Sequence, residues 1–75
     1  MEFFIPTPEQ RRRGRKAALL SQKPLAVKIK RSLDVVRRLE SGNNASIDAL
    51  QAYLNELVAA GVKFFPDGSI SVSNN

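Results

Sequence analysis

Gln22-Lys23-Pro24-Leu25-Ala26-Val27-Lys28-Ile29-Lys30-Arg31-Ser32-Leu33-Asp34-Val35-Val36-Arg37-Arg38-Leu39-Glu40-Ser41-Gly42 has the layout of two short helices joined by a tight corner. Ser21 stands before the first of them as an N-cap. Pro24 falls in its first turn, where a missing N–H leaves no bond unmade, and the helix is expected to end near Ile29. Ser32 caps the second helix, and Gly42 sits where a glycine closes one. Two helices that touch need apolar residues at the contact, and Leu25, Ala26, Ile29, Val36 and Leu39 supply them. The outer face of the second helix is left free for a partner. Helix-turn-helix units lay such a face in the major groove of duplex DNA.

Charge agrees with that partner. The 75 residues carry a net charge of +5, unevenly spread. Residues 1–40 hold 11 Lys/Arg and 4 acids, whereas residues 41–75 hold 1 Lys and 3 acids. The positive field therefore lies on the half that contains the two-helix stretch, where it attracts phosphate and makes binding salt-dependent. A solvated basic face is the plainer reading of the same numbers.

Composition removes other classes. The chain has neither cysteine nor histidine, so disulfides, thiolate or imidazole metal ligation and imidazole catalysis are excluded. There is no phosphate loop and no close carboxylate pair, and the acids are scattered. Neither an enzyme nor a cofactor is expected. Met1-Glu2-Phe3-Phe4-Ile5-Pro6 has no basic start followed by an apolar run, and no run is long enough to span a bilayer. The expectation is a cytoplasmic protein with no membrane partner.

Working outward, residues 1–6 read as an arm. Thr7-Pro8-Glu9-Gln10 is a helix start with a capping box, and the helix is expected from about Pro8 to Leu20. Its apolar residues, Ala17 to Leu20, all lie near its end. Gly14 weakens its middle by about 1 kcal/mol relative to alanine, so its first turns are expected to fray or to remain an arm. Ser46 caps a fourth helix, in which Ile47, Leu50, Leu54, Leu57 and Val58 recur at helical spacing as core. Gly61 ends it. Val62–Phe65 and Ser69–Val72 are strand-like, and Pro66-Asp67-Gly68 between them is a turn. The helical domain thus spans 7–61, the hairpin 62–72 and a disordered tail 73–75.

Arg15, Ser21-Gln22, Leu25-Ala26, Ser32, Val36, Leu39, Glu40 and Gly42 follow one another with the spacing of a known family. In this, over about residues 7–70, the chain resembles the Cro/CI-type (Xre-like) helix-turn-helix transcriptional regulators of phages and bacteria. Thr7-Pro8-Glu9-Gln10 is similar to that family's start, and Ala59–Gly68 to a tail of its short members. The resemblance implies a mostly α, lambda-repressor-like fold: four helices with a small C-terminal β-hairpin. It implies a structural salt bridge between Arg15 and Glu40. It also implies that Leu33, Asp34, Arg37 and Arg38 contact base edges. Two positions depart from the family. Its corner has a glycine followed by an apolar residue, where this chain has Lys30 and Arg31. Lys30 is expected to be strained by about 1 kcal/mol, or the corner to be built differently.

Arginine suits the two acceptors of guanine, leucine a thymine methyl and aspartate the cytosine amino group, although aspartate also repels phosphate. Gln22, Lys23, Ser32, Asn43 and Asn44 are the expected phosphate contacts, which set register without reading sequence. Phe64, Phe65, Ile70 and Val72 are more apolar than an isolated hairpin would expose. They either fold onto the helices or join two copies, and they are the candidate dimerisation residues. A two-fold dimer would place two reading helices about 34 Å apart, on a near-palindromic operator. The expected function is a sequence-specific regulator, a repressor, binding duplex DNA as a homodimer. The alternative is a protein-interaction module on the same scaffold, an inhibitor, anti-repressor or antitoxin of phage type. Leu33 and Val35, if exposed, and the non-glycine corner at Lys30 favour that alternative.

Overall fold

The computed structural model describes residues 4–73. These form α1 (Pro8–Ala17), α2 (Gln22–Lys28), α3 (Leu33–Ser41), α4 (Ile47–Ala59), β1 (Val62–Phe64) and β2 (Ile70–Val72). The fold is mostly α, with four helices followed by a two-stranded antiparallel hairpin. Asn74 and Asn75 of the expected tail, and the first three residues of the expected arm, lie outside the described residues.

Local chemistry explains where the helices begin. Thr7 forms a full capping box with Gln10: the Gln10 N–H donates to Thr7 Oγ1 at 3.1 Å, and the Thr7 N–H donates to Gln10 Oε1 at 2.9 Å. The first turn of α1 is therefore fixed rather than frayed. Ser32 and Ser46 accept from the N–H groups of Val35 and Ala49. Ser21 occupies the N-cap position of α2 in extended conformation, but its hydroxyl makes no capping bond.

The helix ends are less ordinary. α1 stops at Ala17, three residues short of the expected Leu20, because Leu19 turns left-handed at φ 61°. The Leu19 N–H donates to the Lys16 carbonyl and the Leu20 N–H to the Arg15 carbonyl, the paired bonds of a Schellman ending. α2 ends the same way. Lys30 has φ 58°, its N–H donates to the Val27 carbonyl, and the Arg31 N–H donates to the Ala26 carbonyl. The corner between α2 and α3 is thus the left-handed turn that glycine makes most easily, built here on lysine at a cost of about 1 kcal/mol.

Leu25, Ala26 and Ile29 of the α2 segment meet Val36 and Leu39 of α3, and all five are buried with Tyr53, Leu57 and Val62. The face that α4 turns inward is Ala49, Tyr53 and Leu57. Two residues expected in the core are outside it: Ile47 is 79 % exposed and Val58 60 %. Helix α4 carries apolar residues on more than one face, and the stripe one step round, centred on Tyr53, is the one the other helices cover.

The hairpin folds back onto α1 and α4. Val62 pairs with Val72 and Phe64 with Ile70. Gly14, on α1, is where the hairpin sits down: a Cβ there would lie 2.9 Å from Val62 Cγ1 and 3.0 Å from Phe64 Cε1. The glycine that weakens the helix locally is what lets the strands approach. Gln10 completes the join by donating from Nε2 to the carbonyls of Phe65 (2.8 Å) and Ser69 (3.1 Å). Arg13 donates to the Gly68 carbonyl at 3.2 Å.

Candidate nucleic-acid interface

Between the start of α2 and the end of α3 lies a buried polar junction. Arg15 on α1 grips Glu40 on α3 with two nitrogens, Nε to Oε2 and Nη2 to Oε1, and its third nitrogen donates to the Leu20 carbonyl at 2.9 Å. Tyr53 on α4 donates its hydroxyl to Glu40 Oε2 at 2.7 Å, and Gln22 on α2 donates to Glu40 Oε1 at 3.0 Å. One carboxylate therefore ties together all four helices. Burial, and then the hydrogen bond to Glu40, push the Tyr53 phenol far above its ordinary value. Arg11 is buried alongside, and its Nε is without a partner among the described residues. Desolvation lowers its pKa, while the nearby Tyr53 and Glu40 oppose that shift.

With its base held, α3 presents its outer side to solvent. Asp34, Arg37 and Arg38 are exposed and Leu33 is half-buried. The four residues expected to touch bases are thus together on one capped helix. They are not equivalent. Arg38 Nε lies 3.0 Å from Asp34 Oδ2, one turn back, with both side chains more than half exposed. The Arg37 guanidinium has no hydrogen-bond or ion-pair partner among the described residues. Val35, read alongside Leu33 as a candidate exposed apolar residue, instead packs against the core.

The expected phosphate contacts divide. Lys23, Asn43 and Asn44 are exposed. The Asn43 amide donates to Ser41 Oγ at 3.1 Å, and Ser32 Oγ is engaged in capping α3. Gln22 is half-buried with its side-chain nitrogen committed to Glu40. It holds the α2 start against α3 rather than reaching outward with that nitrogen. Of the basic run in α1, Arg12, Arg13 and Lys16 are exposed whereas Arg11 and Arg15 are interior. Only three of those five charges therefore add to the surface field. Of the candidate dimerisation residues, Phe64 and Val72 pack against this chain's own core, Ile70 is half-buried, and Phe65 is 41 % exposed.

Three residues carry more of the architecture than their sequence context signals. Gln10 looks like a capping residue and is also the hairpin's anchor. Tyr53 lies off the apolar spacing read for α4 and is its most central residue. Arg11 looks like one member of a solvated run. Each makes its decisive contact with a residue far away in sequence, which no local pattern announces. Among the described residues no group of acids could hold a metal ion, and no helix is long and apolar enough to cross a membrane. No known protein family and no curated protein matches this chain.

Proposed function

We propose that this protein is a sequence-specific, duplex-DNA-binding transcriptional regulator of the Cro/CI type, a repressor acting as a dimer on a near-palindromic operator. The observation that carries this reading is the outward face of α3. Leu33, Asp34, Arg37 and Arg38 stand on a helix whose inner side is locked by the Arg15–Glu40–Tyr53–Gln22 junction. A reading helix has to be rigid, because base-edge hydrogen bonds tolerate little displacement. The left-handed Lys30 corner supports the same reading, since it lets α3 cross α2 as in helix-turn-helix units despite the missing glycine. The net +7 of residues 1–40 supplies the phosphate attraction. Repression follows from occupancy and requires no chemistry and no cofactor.

Selection of bound sites from a random duplex pool, followed by affinity against salt, tests this. The expected result is an enriched inverted repeat whose binding weakens steeply as salt rises. Arg37→Ala should cost about 1–3 kcal/mol on the selected site and relax preference at one position. A second reading, a protein-interaction module on the same scaffold, is favoured by Val27, which α2 leaves 77 % exposed. It predicts no enriched site, and a partner whose binding survives Arg37→Ala but is lost on Leu33→Asp.

A further inference from the structure

The least explained surface of the molecule is the outer side of α4. Ile47, Leu50, Gln51, Leu54, Asn55 and Val58 form one stripe along it, apolar or neutral throughout. Phe4 lies beside it and lines two shallow grooves. One, of about 220 Å³, runs between Phe4 and Ile5 on one side and Ile47, Leu50 and Leu54 on the other. The other, of about 330 Å³, runs between Phe4, Leu54, Val58, Lys63 and Phe65. Apolar side chains this exposed, gathered on one face, mark an interaction surface.

The geometry points to a second copy of this chain as the occupant, with α4 packed antiparallel against the partner's α4 about a two-fold axis near its middle. The inference builds on the two-copy arrangement of the preceding reading and moves the junction from the hairpin to α4. Two features single out this occupant. First, an isologous contact must be self-complementary, with residue i meeting residue j and j meeting i. Running the stripe against itself places Ile47 on the partner's Val58, Leu50 on the partner's Asn55 and Gln51 on the partner's Leu54. Every apolar residue meets an apolar or neutral one, and no like charges meet. Second, two copies of a chain with net charge +5 repel each other. This stripe is free of charge and belongs to the half of net charge −2, so association here opposes the least repulsion. The one cation at its edge, Lys63, borders the groove beside Val58. The partner's Ile47 would enter that groove, bringing the partner's Asp48 towards Lys63. The size of the contact sets its strength: α4 has 13 residues, so it is about 20 Å long. A face about 20 Å long and about 10 Å wide is far below the about 800 Å² per partner of a standard stable interface. The pairing is therefore weak in solution and is completed on DNA, where two adjacent half-sites hold the copies together.

Sedimentation equilibrium of the full chain without DNA tests this. The wild type should associate reversibly to a dimer at high concentration. Ile47→Glu and Val58→Lys should each weaken association by about tenfold or more. The double variant should recover it, because the new charges face each other across the two-fold. Both substitutions suit the helix dipole at their ends of α4, and unchanged thermal melts would verify that the variants remain folded. A wild type that stays monomeric at millimolar concentration overturns the inference. So do single variants that associate normally, a double variant that fails to recover, or dissociation by Ile70→Glu on the hairpin instead. Binding to a single half-site separates this from the DNA reading. Ile47→Glu should retain wild-type half-site affinity and lose only cooperative binding to the full repeat. If no variant and no wild type binds any duplex while association behaves as described, the regulator reading fails and the interface stands.

Discussion

Two arginine–carboxylate pairs in this molecule use the same chemistry to opposite ends. Arg15 and Glu40 meet inside, with Tyr53, Gln22 and the Leu20 carbonyl occupying the bonds that the pair leaves open. Arg38 and Asp34 meet one helical turn apart on the surface of α3, with water around both. A buried pair has surrendered its hydration, so each partner depends on the other. An exposed pair gains little and gives up little on parting. The first is a structural joint. The second is a surface closure that opens at little cost. The comparison locates rigidity under α3 and adaptability on its outer face.

The largest effect should come from breaking the joint. Glu40→Ala leaves a buried guanidinium without its carboxylate, and the loss should be about 3–5 kcal/mol. A small domain has only about 5 kcal/mol or somewhat more to lose, so urea unfolding at neutral pH should find the variant largely unfolded. Tyr53→Phe is gentler: Glu40 Oε2 loses one donor, and stability should fall by about 1–3 kcal/mol. Its pH dependence sharpens the point. The folded-state pKa of Tyr53 is raised, first by burial and then by the bond to Glu40. The stability it contributes is therefore complete below the unfolded phenol's value of about 10 and is lost as pH rises past it. The gap between wild type and Tyr53→Phe should narrow under alkaline conditions. A gap independent of pH would mean that the hydroxyl is not held as described.

Gly14→Ala comes next. Alanine favours the helix by about 1 kcal/mol, but overpacking against Val62 and Phe64 costs about 1–3 kcal/mol. The net result should be a loss of about 1 kcal/mol in thermal unfolding, and a gain would show that the hairpin yields readily. The smallest stability effect belongs to Asp34→Ala, within about 0.5 kcal/mol. Its effect on DNA should be visible all the same. Removing the acid frees Arg38 and reduces repulsion from phosphate, so fluorescence anisotropy should report tighter binding to arbitrary duplex. Weaker binding would assign Asp34 a direct role at a base edge.

Much of this arrangement is legible along the chain, and the residues that are not share a cause. Thr7, Ser32 and Ser46 announce helix starts because a cap is a contact between near neighbours. Leu25, Ala26, Ile29, Val36 and Leu39 are legible as a core because they fall on the facing sides of the two short helices, with Val27 the one apolar residue of α2 turned outward. The turn at Pro66–Gly68 is legible because proline fixes φ and glycine accepts the positive φ that the turn requires. Helix α4 defeats the same reasoning. It has apolar residues on several faces, so spacing alone does not say whether Tyr53 or Ile47 points inward. Gln10, Arg11 and Gly14 are illegible for a different reason. Each is set by a hairpin or helix packed against it from a distant part of the sequence. Of the candidate site, the positions on α3 follow from spacing and resemblance. The closure of Arg38 on Asp34 and the commitment of Gln22 to Glu40 required the packed structure.

Under the proposed function, duplex DNA meets the outward face of α3. Titrating a selected duplex into isotope-labelled protein and following the amide resonances tests it most directly. Salt-sensitive shifts should centre on Leu33 to Arg38, Lys23 and Asn43–Asn44, with the amides around Glu40 and Tyr53 little moved. Shifts absent from α3, or centred on α4 and the hairpin at single-half-site stoichiometry, would contradict it.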